Sequence, residues 1–183
     1  MNEHKTNKRK VWIQDVTLRD GNQALKKPWT KSEKESVFDA LVALNVNGIE
    51  VGFPSSNRNE FESVQSLAKK APKHITIAAL SRANEKEIQT TWDAIQFAKT
   101  PRLHIVYPVS AFQIQNVLKI SNEQVLEKIF NAISFARKIS GKDTSLQFSG
   151  EHFGDAIENF EFTIKAFNTA IEAGATVINL PNT

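Results

Sequence analysis

The chain has 183 residues, 40% of them hydrophobic and 23% charged, with a net charge of +3. That balance excludes a disordered chain and suits one soluble domain with a sizeable core. Cysteine is absent, which excludes disulfides and thiolate metal sites, and no apolar run approaches the ~18 residues of a membrane span.

Residues 1–10 hold Lys5, Lys8, Arg9 and Lys10 with no apolar stretch behind them. They read as a disordered basic tail rather than a secretory signal, with the folded domain at 11–183. Four such charges, without an RNA-binding or zinc-finger pattern, do not make a nucleic-acid site. The modest positive balance suits acidic substrates. Val11, Trp12, Ile13 and Val16 then read as a buried strand. At its end the apolar residues give way to Arg19-Asp20-Gly21-Asn22-Gln23. Asp oxygens ligate hard cations, the Arg fork clamps oxyanions, and Gly21 lets the backbone turn sharply away. The same residues also suit a plain strand-end turn with a surface ion pair.

Thr30-Lys31-Ser32-Glu33 reads as a capping box. Val37, Phe38, Leu41 and Leu44 follow it at helical spacing. Ile49 to Phe53 is the second strand, stopped by Pro54 and two serines. The next helix buries Phe61, Val64, Leu67 and Ala68. His74 to Leu80 is the third strand, Asn84 to Phe97 the third helix, and Arg102 to Tyr107 the fourth strand. A longer connection, 108–120, holds a short helix around Phe112 to Leu118. Ser121-Asn122-Glu123-Gln124 is a second capping box, opening a helix with Val125, Ile129, Ile133 and Ala136 on one side. Thr144 to Phe148 is the fifth strand, Ala156 to Ala173 the fifth helix with Gly174 as its C-cap, and Thr176 to Leu180 the sixth strand.

Strict alternation of strand and helix means a parallel sheet with helical crossovers. An open doubly wound sheet and a (β/α)8 barrel compete. No Gly-rich phosphate loop follows the first strand, and polar residues gather at the carboxyl ends of several strands: Arg19 and Asp20, Glu50, His104, Ser149 and Glu151, Thr183. The expectation is therefore an α/β fold, a TIM barrel truncated after its sixth strand, since eight strands take about 250 residues.

Asp15-Val16-Thr17-Leu18-Arg19-Asp20-Gly21-Asn22-Gln23 resembles the motif that opens the barrel in the DRE-type metallolyases. Gly21-Asn22-Gln23-Ala24-Leu25, Pro28-Trp29 and Ile49-Glu50-Val51-Gly52-Phe53-Pro54-Ser55 look most like the 2-isopropylmalate synthases among them, from about Trp12 to Thr183. The resemblance implies a TIM barrel and an acyltransferase of leucine biosynthesis. It condenses acetyl-CoA with 2-oxoisovalerate on a divalent cation (Mg, Mn or Zn), and is a cytoplasmic homodimer at full length. Carried onto this sequence, it implies Asp20 as a metal ligand and Arg19 and Glu151 as catalytic residues. His104, Ser110, Ser149, Thr183 and Leu80 become substrate contacts, and Glu50 a partner for Arg19. In the family a His-x-His pair on the seventh strand completes the metal site. The histidines here are His4, His74, His104 and His152, and no two have that spacing. Homocitrate synthase, citramalate synthase, the lyase of the same superfamily, and a non-catalytic half-barrel that needs a partner chain remain as competing readings.

Overall fold

The computed structural model describes residues 10–182. Six strands form one sheet: β1 Gln14–Asp15, β2 Gly48–Glu50, β3 Thr76–Arg82, β4 Pro101–Pro108, β5 Ser145–Glu151 and β6 Val177–Asn179. They lie side by side in chain order and every neighbouring pair is parallel. Helices α1 Lys31–Ala43, α2 Arg58–Lys70, α3 Glu85–Ile95, α4 Asn122–Ser140 and α5 Phe160–Glu172 fill the crossovers. Right-handed crossovers that always step the same way put every helix on one face. That is barrel construction, because a doubly wound sheet reverses its order midway. Arg102 of β4 reaches Gln14 of β1 with a 2.7 Å hydrogen bond, although two strands lie between them. The sheet is curled into a partial barrel.

The two faces divide the chemistry. Ile49, Ile77, Ala79, Leu103, Ile105, Leu146 and Phe148 alternate onto the outer face and are completely buried in the hydrophobic core that includes residues of the helices. The strand register sets Glu50 and Arg102 level with Ala78, His104 and Gln147 level with Leu80, and Asn179 level with Ser149, all on the inner face. Helix starts are set locally. Thr30 and Ser121 form complete capping boxes with Glu33 and Gln124, and Asn57 and Asn84 cap α2 and α3.

The structure corrects several expectations. Val11, Trp12, Ile13 and Val16 are exposed rather than buried: β1 is confined to Gln14–Asp15, and among the described residues it pairs with β2 alone. Leu44 caps α1 and faces solvent. The second strand stops at Glu50 instead of Phe53, since Gly52 takes φ 156° where a Cβ would strike Glu60 and Val64. The fifth helix begins at Phe160 rather than Ala156. Asn159 leaves helical geometry (φ −131°, ψ 39°) and gives its side-chain amide to the Val109 carbonyl at 2.9 Å, so 153–159 form a 3₁₀ turn. At its other end Ala173 is the cap, and Gly174 (φ 115°) follows it. The expected basic tail lies outside the described residues except for Lys10, which sits over the Trp12 ring.

Candidate functional site

The segment after β1 is held by its own short-range bonds. The Asp15 carboxylate accepts from the Thr17 amide at 2.9 Å and from the Thr17 hydroxyl at 3.1 Å. Thr17–Gly21 then forms one π-helical turn, in which the amides of Arg19, Asp20 and Gly21 all converge on the Val16 carbonyl. Gly21 is therefore helical, and the widened turn, not a glycine pivot, redirects the chain. Leu18 is completely buried and anchors the turn in the core. Its neighbour Arg19 is directed across to β2.

Arg19 Nε donates to Glu50 Oε2 at 2.6 Å, and its η1 nitrogen donates to Asp20 Oδ1 at 2.6 Å. Glu50 Oε1 is hydrogen-bonded to His104 Nδ1 on β4. His104 Nε2 lies 2.5 Å from Ser149 Oγ on β5, and Asn179 Nδ2 on β6 donates to that oxygen at 2.7 Å. One continuous relay thus runs from Asp20 to Asn179 across the inner face. It is buried at its centre: Glu50 is 0% exposed, Ser149 2% and His104 4%. Burial opposes the charge on Glu50, but the hydrogen bond from His104, together with the attraction and hydrogen bond of Arg19, outweighs it and holds the carboxyl below its ordinary value.

Of the residues singled out in the sequence, Arg19, Asp20, His104 and Ser149 come together in this relay, and Glu50 joins them at its centre. Leu80 is half-buried on the inner face, level with His104. Glu151 ends β5 on the same face as Ser149, half-buried, and its carboxylate has no side-chain hydrogen bond among the described residues. Ser110 is buried just beyond β4, where its hydroxyl accepts from the Gln113 amide at 3.4 Å; it stands outside the relay. Thr183 lies outside the described residues. Asn179 was missed by the sequence reading. The signal for it was an isolated polar residue between apolar neighbours in a strand, as in Ile178-Asn179-Leu180, Phe148-Ser149-Gly150 and Leu103-His104-Ile105. His152, which takes left-handed backbone (φ 59°) and packs its Nε2 against Gln113 Nε2 at 3.2 Å, was also not singled out.

Metal chemistry is only partly represented. The Asp20 side chain is 58% exposed and offers carboxylate oxygens. Among the described residues no three His, Cys, Asp or Glu side chains gather as a metal site. The residues present therefore do not make a complete divalent-cation site. No helix among them is long and apolar enough to cross a membrane.

Comparison with known proteins agrees with this architecture. The chain is 56% identical over 172 residues to 2-isopropylmalate synthase 2 of Leptospira interrogans, covering 94% of this chain and 40% of that protein. It is 40% identical over 175 residues to 2-isopropylmalate synthase of Dictyoglomus turgidum, covering 95% of this chain and 33% of that one. It is 33% identical over 186 residues to methylthioalkylmalate synthase 1-1 of Eutrema japonicum, covering 97% of this chain and 36% of that one. It thus spans less than half the length of these curated relatives. Among solved structures, HMG-CoA lyase of Bacillus subtilis superposes with a TM-score of 0.68 at 18% identity, over 92% of this chain and 57% of that one, which shows the shared fold. Residues 10–183 match the HMGL-like family, and with the half-barrel and its strand-end site in place the chain belongs to that family.

Proposed function

We propose that this chain carries much of the oxo-acid site of a 2-isopropylmalate synthase, which condenses acetyl-CoA with 2-oxoisovalerate in leucine biosynthesis. The observation that carries the reading is the 56% identity to the Leptospira interrogans synthase across 94% of the chain. The inner-face relay supplies chemistry that suits it. In the reaction the acetyl methyl carbon loses a proton, and the resulting enolate carbon attacks the keto carbon. A C–C bond forms while the keto oxygen takes up the negative charge. Hydrolysis of the thioester then releases CoA.

Arg19 is the group that meets that developing oxyanion. Its Nε is tied to Glu50 and its Nη1 to Asp20, which leaves Nη2 without a side-chain partner among the described residues. A guanidinium already oriented needs no reorganisation when the charge appears. Asp20 would give one oxygen to a hard divalent cation (Mg, Mn or Zn), a group that polarises keto oxygens when bound. The described residues do not complete that site, and the roles proposed here stand on the chain's own side chains. Glu151, with a carboxylate free of side-chain partners among the described residues, is proposed to orient the thioester or shuttle protons during enolisation. His104, Ser149 and Ser110 bound the oxo acid, Thr183 is proposed to take its carboxylate, and Leu80 packs its branched tail. An apolar Leu80 disfavours a second carboxylate on the substrate. A cytoplasmic homodimer, with acetyl-CoA as co-substrate and neither nucleic acid nor membrane as partner, completes the proposal on resemblance.

The test is thiol release from acetyl-CoA by the complete enzyme, assayed with a panel of oxo acids. The proposal expects 2-oxoisovalerate to be preferred. Preference for 2-oxoglutarate or pyruvate would transfer the chain to homocitrate or citramalate synthesis. The 183-residue chain assayed alone is expected to show no turnover, because its described residues do not complete a metal site.

A further inference from the structure

The relay has a direction, and that direction follows from which atoms can donate. A side-chain amide nitrogen only donates, an ionised carboxylate only accepts, and a neutral imidazole does one of each. At one end Asn179 Nδ2 gives its proton to Ser149 Oγ at 2.7 Å. At the other, Glu50 accepts from Arg19 Nε and from His104 Nδ1. Ser149 is 2% exposed, and its hydroxyl oxygen has His104 Nε2 and Asn179 Nδ2 as hydrogen-bond partners. Were His104 Nε2 also protonated, the hydroxyl would face two donors and its own proton would have no acceptor in this pair.

We infer that Asn179 sets the order of protons along the whole relay, from Asn179 through Ser149 and His104 to Glu50, and so holds His104 as the neutral imidazole protonated on Nδ1. This is the reverse of the tautomer that predominates for histidine in water. Asn179 is a positioning residue: it acts on Glu50 through two intermediates, and Glu50 holds Arg19. The orientation of its amide is the switch, because a carbonyl oxygen in place of the nitrogen would accept the Ser149 proton and reverse every bond up to His104. One consequence rests on the proposed function: the lone pair of His104 Nε2 is occupied by Ser149, so His104 orients the site and does not remove the acetyl proton.

The test needs no turnover. Long-range ¹H–¹⁵N correlation spectra of the ¹⁵N-labelled 183-residue chain at neutral pH read the protonation of each imidazole nitrogen directly, and loss of one ring signal in H104Q assigns it. The expected pattern is a protonated Nδ1 and an unprotonated, hydrogen-bonded Nε2. In N179D, where a carboxylate that only accepts replaces the amide, both ring nitrogens of His104 become protonated. In S149A Nδ1 stays protonated and keeps donating to Glu50. A wild-type His104 protonated on Nε2, alone or together with Nδ1, overturns the inference, as does a ring pattern that N179D leaves unchanged. Should N179D fail to fold, the wild-type spectrum decides alone. Because the readout is structural, a complete enzyme that rejects 2-oxoisovalerate would refute the functional proposal and leave the proton order standing.

Discussion

Replacing Glu50 by Gln isolates the charge at the centre of the relay while keeping its shape. Glu50 is 0% exposed and accepts from both Arg19 and His104. Removing one partner of a buried ion pair costs about 3–5 kcal/mol. Arg19 is 17% exposed and keeps Asp20, which places the cost at the lower end. We expect about 3 kcal/mol, or roughly 150-fold in the folding equilibrium, since one tenfold step is about 1.4 kcal/mol. Urea unfolding followed by circular dichroism reads this directly. With a slope of about 2 kcal/mol/M, the midpoint falls by roughly 1.5 M at unchanged slope. The pH dependence provides a second check. The carboxyl is held below its ordinary value, so the fold favours the ionised form. Its contribution is complete above the unfolded carboxyl's pKa of about 4.3 and is lost as pH falls through the folded value. The gap between wild type and E50Q should stay constant from about pH 5 to 8 and narrow below about pH 4. An unchanged midpoint, or a gap that persists into acid, would refute the argument that this charge is held by its partners.

Two further outcomes are expected. In G150A the new methyl would sit 2.7 Å from the Phe167 ring and 3.0 Å from Val109, an overpacking that costs about 1–3 kcal/mol. The melting temperature should drop by roughly 3–10 °C, and an unchanged melt would mean that the Phe167 ring moves aside freely. Millimolar Mg, Mn or Zn should raise the melting temperature of the 183-residue chain by less than about 2 °C, as a dissociation constant near 1 mM contributes only about 0.4 kcal/mol. A rise several times larger would reveal a donor set that the described residues do not show.

The repeating units were legible because each helix start carries its own chemistry. Thr30 with Glu33 and Ser121 with Gln124 cap as their spacing implies, and Val125, Ile129, Ile133 and Ala136 are buried together. What was not legible depended on neighbours across the sheet. Val11, Trp12 and Ile13 have the composition of a buried strand, but they precede β1, which is only Gln14–Asp15, and stay exposed. Asn159 breaks its helix because Val109, 50 residues earlier, offers a carbonyl. At the site, the opening motif pointed to Arg19 and Asp20, and resemblance supplied His104 and Ser149. The double role of Glu50 required two partners, 31 and 54 residues away, on separate elements. Asn179 reads locally as one polar residue inside an apolar strand, and only the register of β6 against β5 sets it level with Ser149.

The alternation of faces along each strand has a consequence for how such a protein changes over time. Ile49 and Glu50, or Leu103 and His104, are covalent neighbours under unrelated demands, one judged by packing and the other by chemistry. A lineage can therefore retune its inner face without eroding foldability. The freedom is uneven, however. Glu50, His104, Ser149 and Asn179 are locked into a single donor–acceptor sequence and tolerate only coordinated replacement. Leu80 and Ala78, apolar and on the same face, are bound by no such contract. A substitution at those apolar positions therefore changes the shape of the inner face without breaking a hydrogen bond of the polar row.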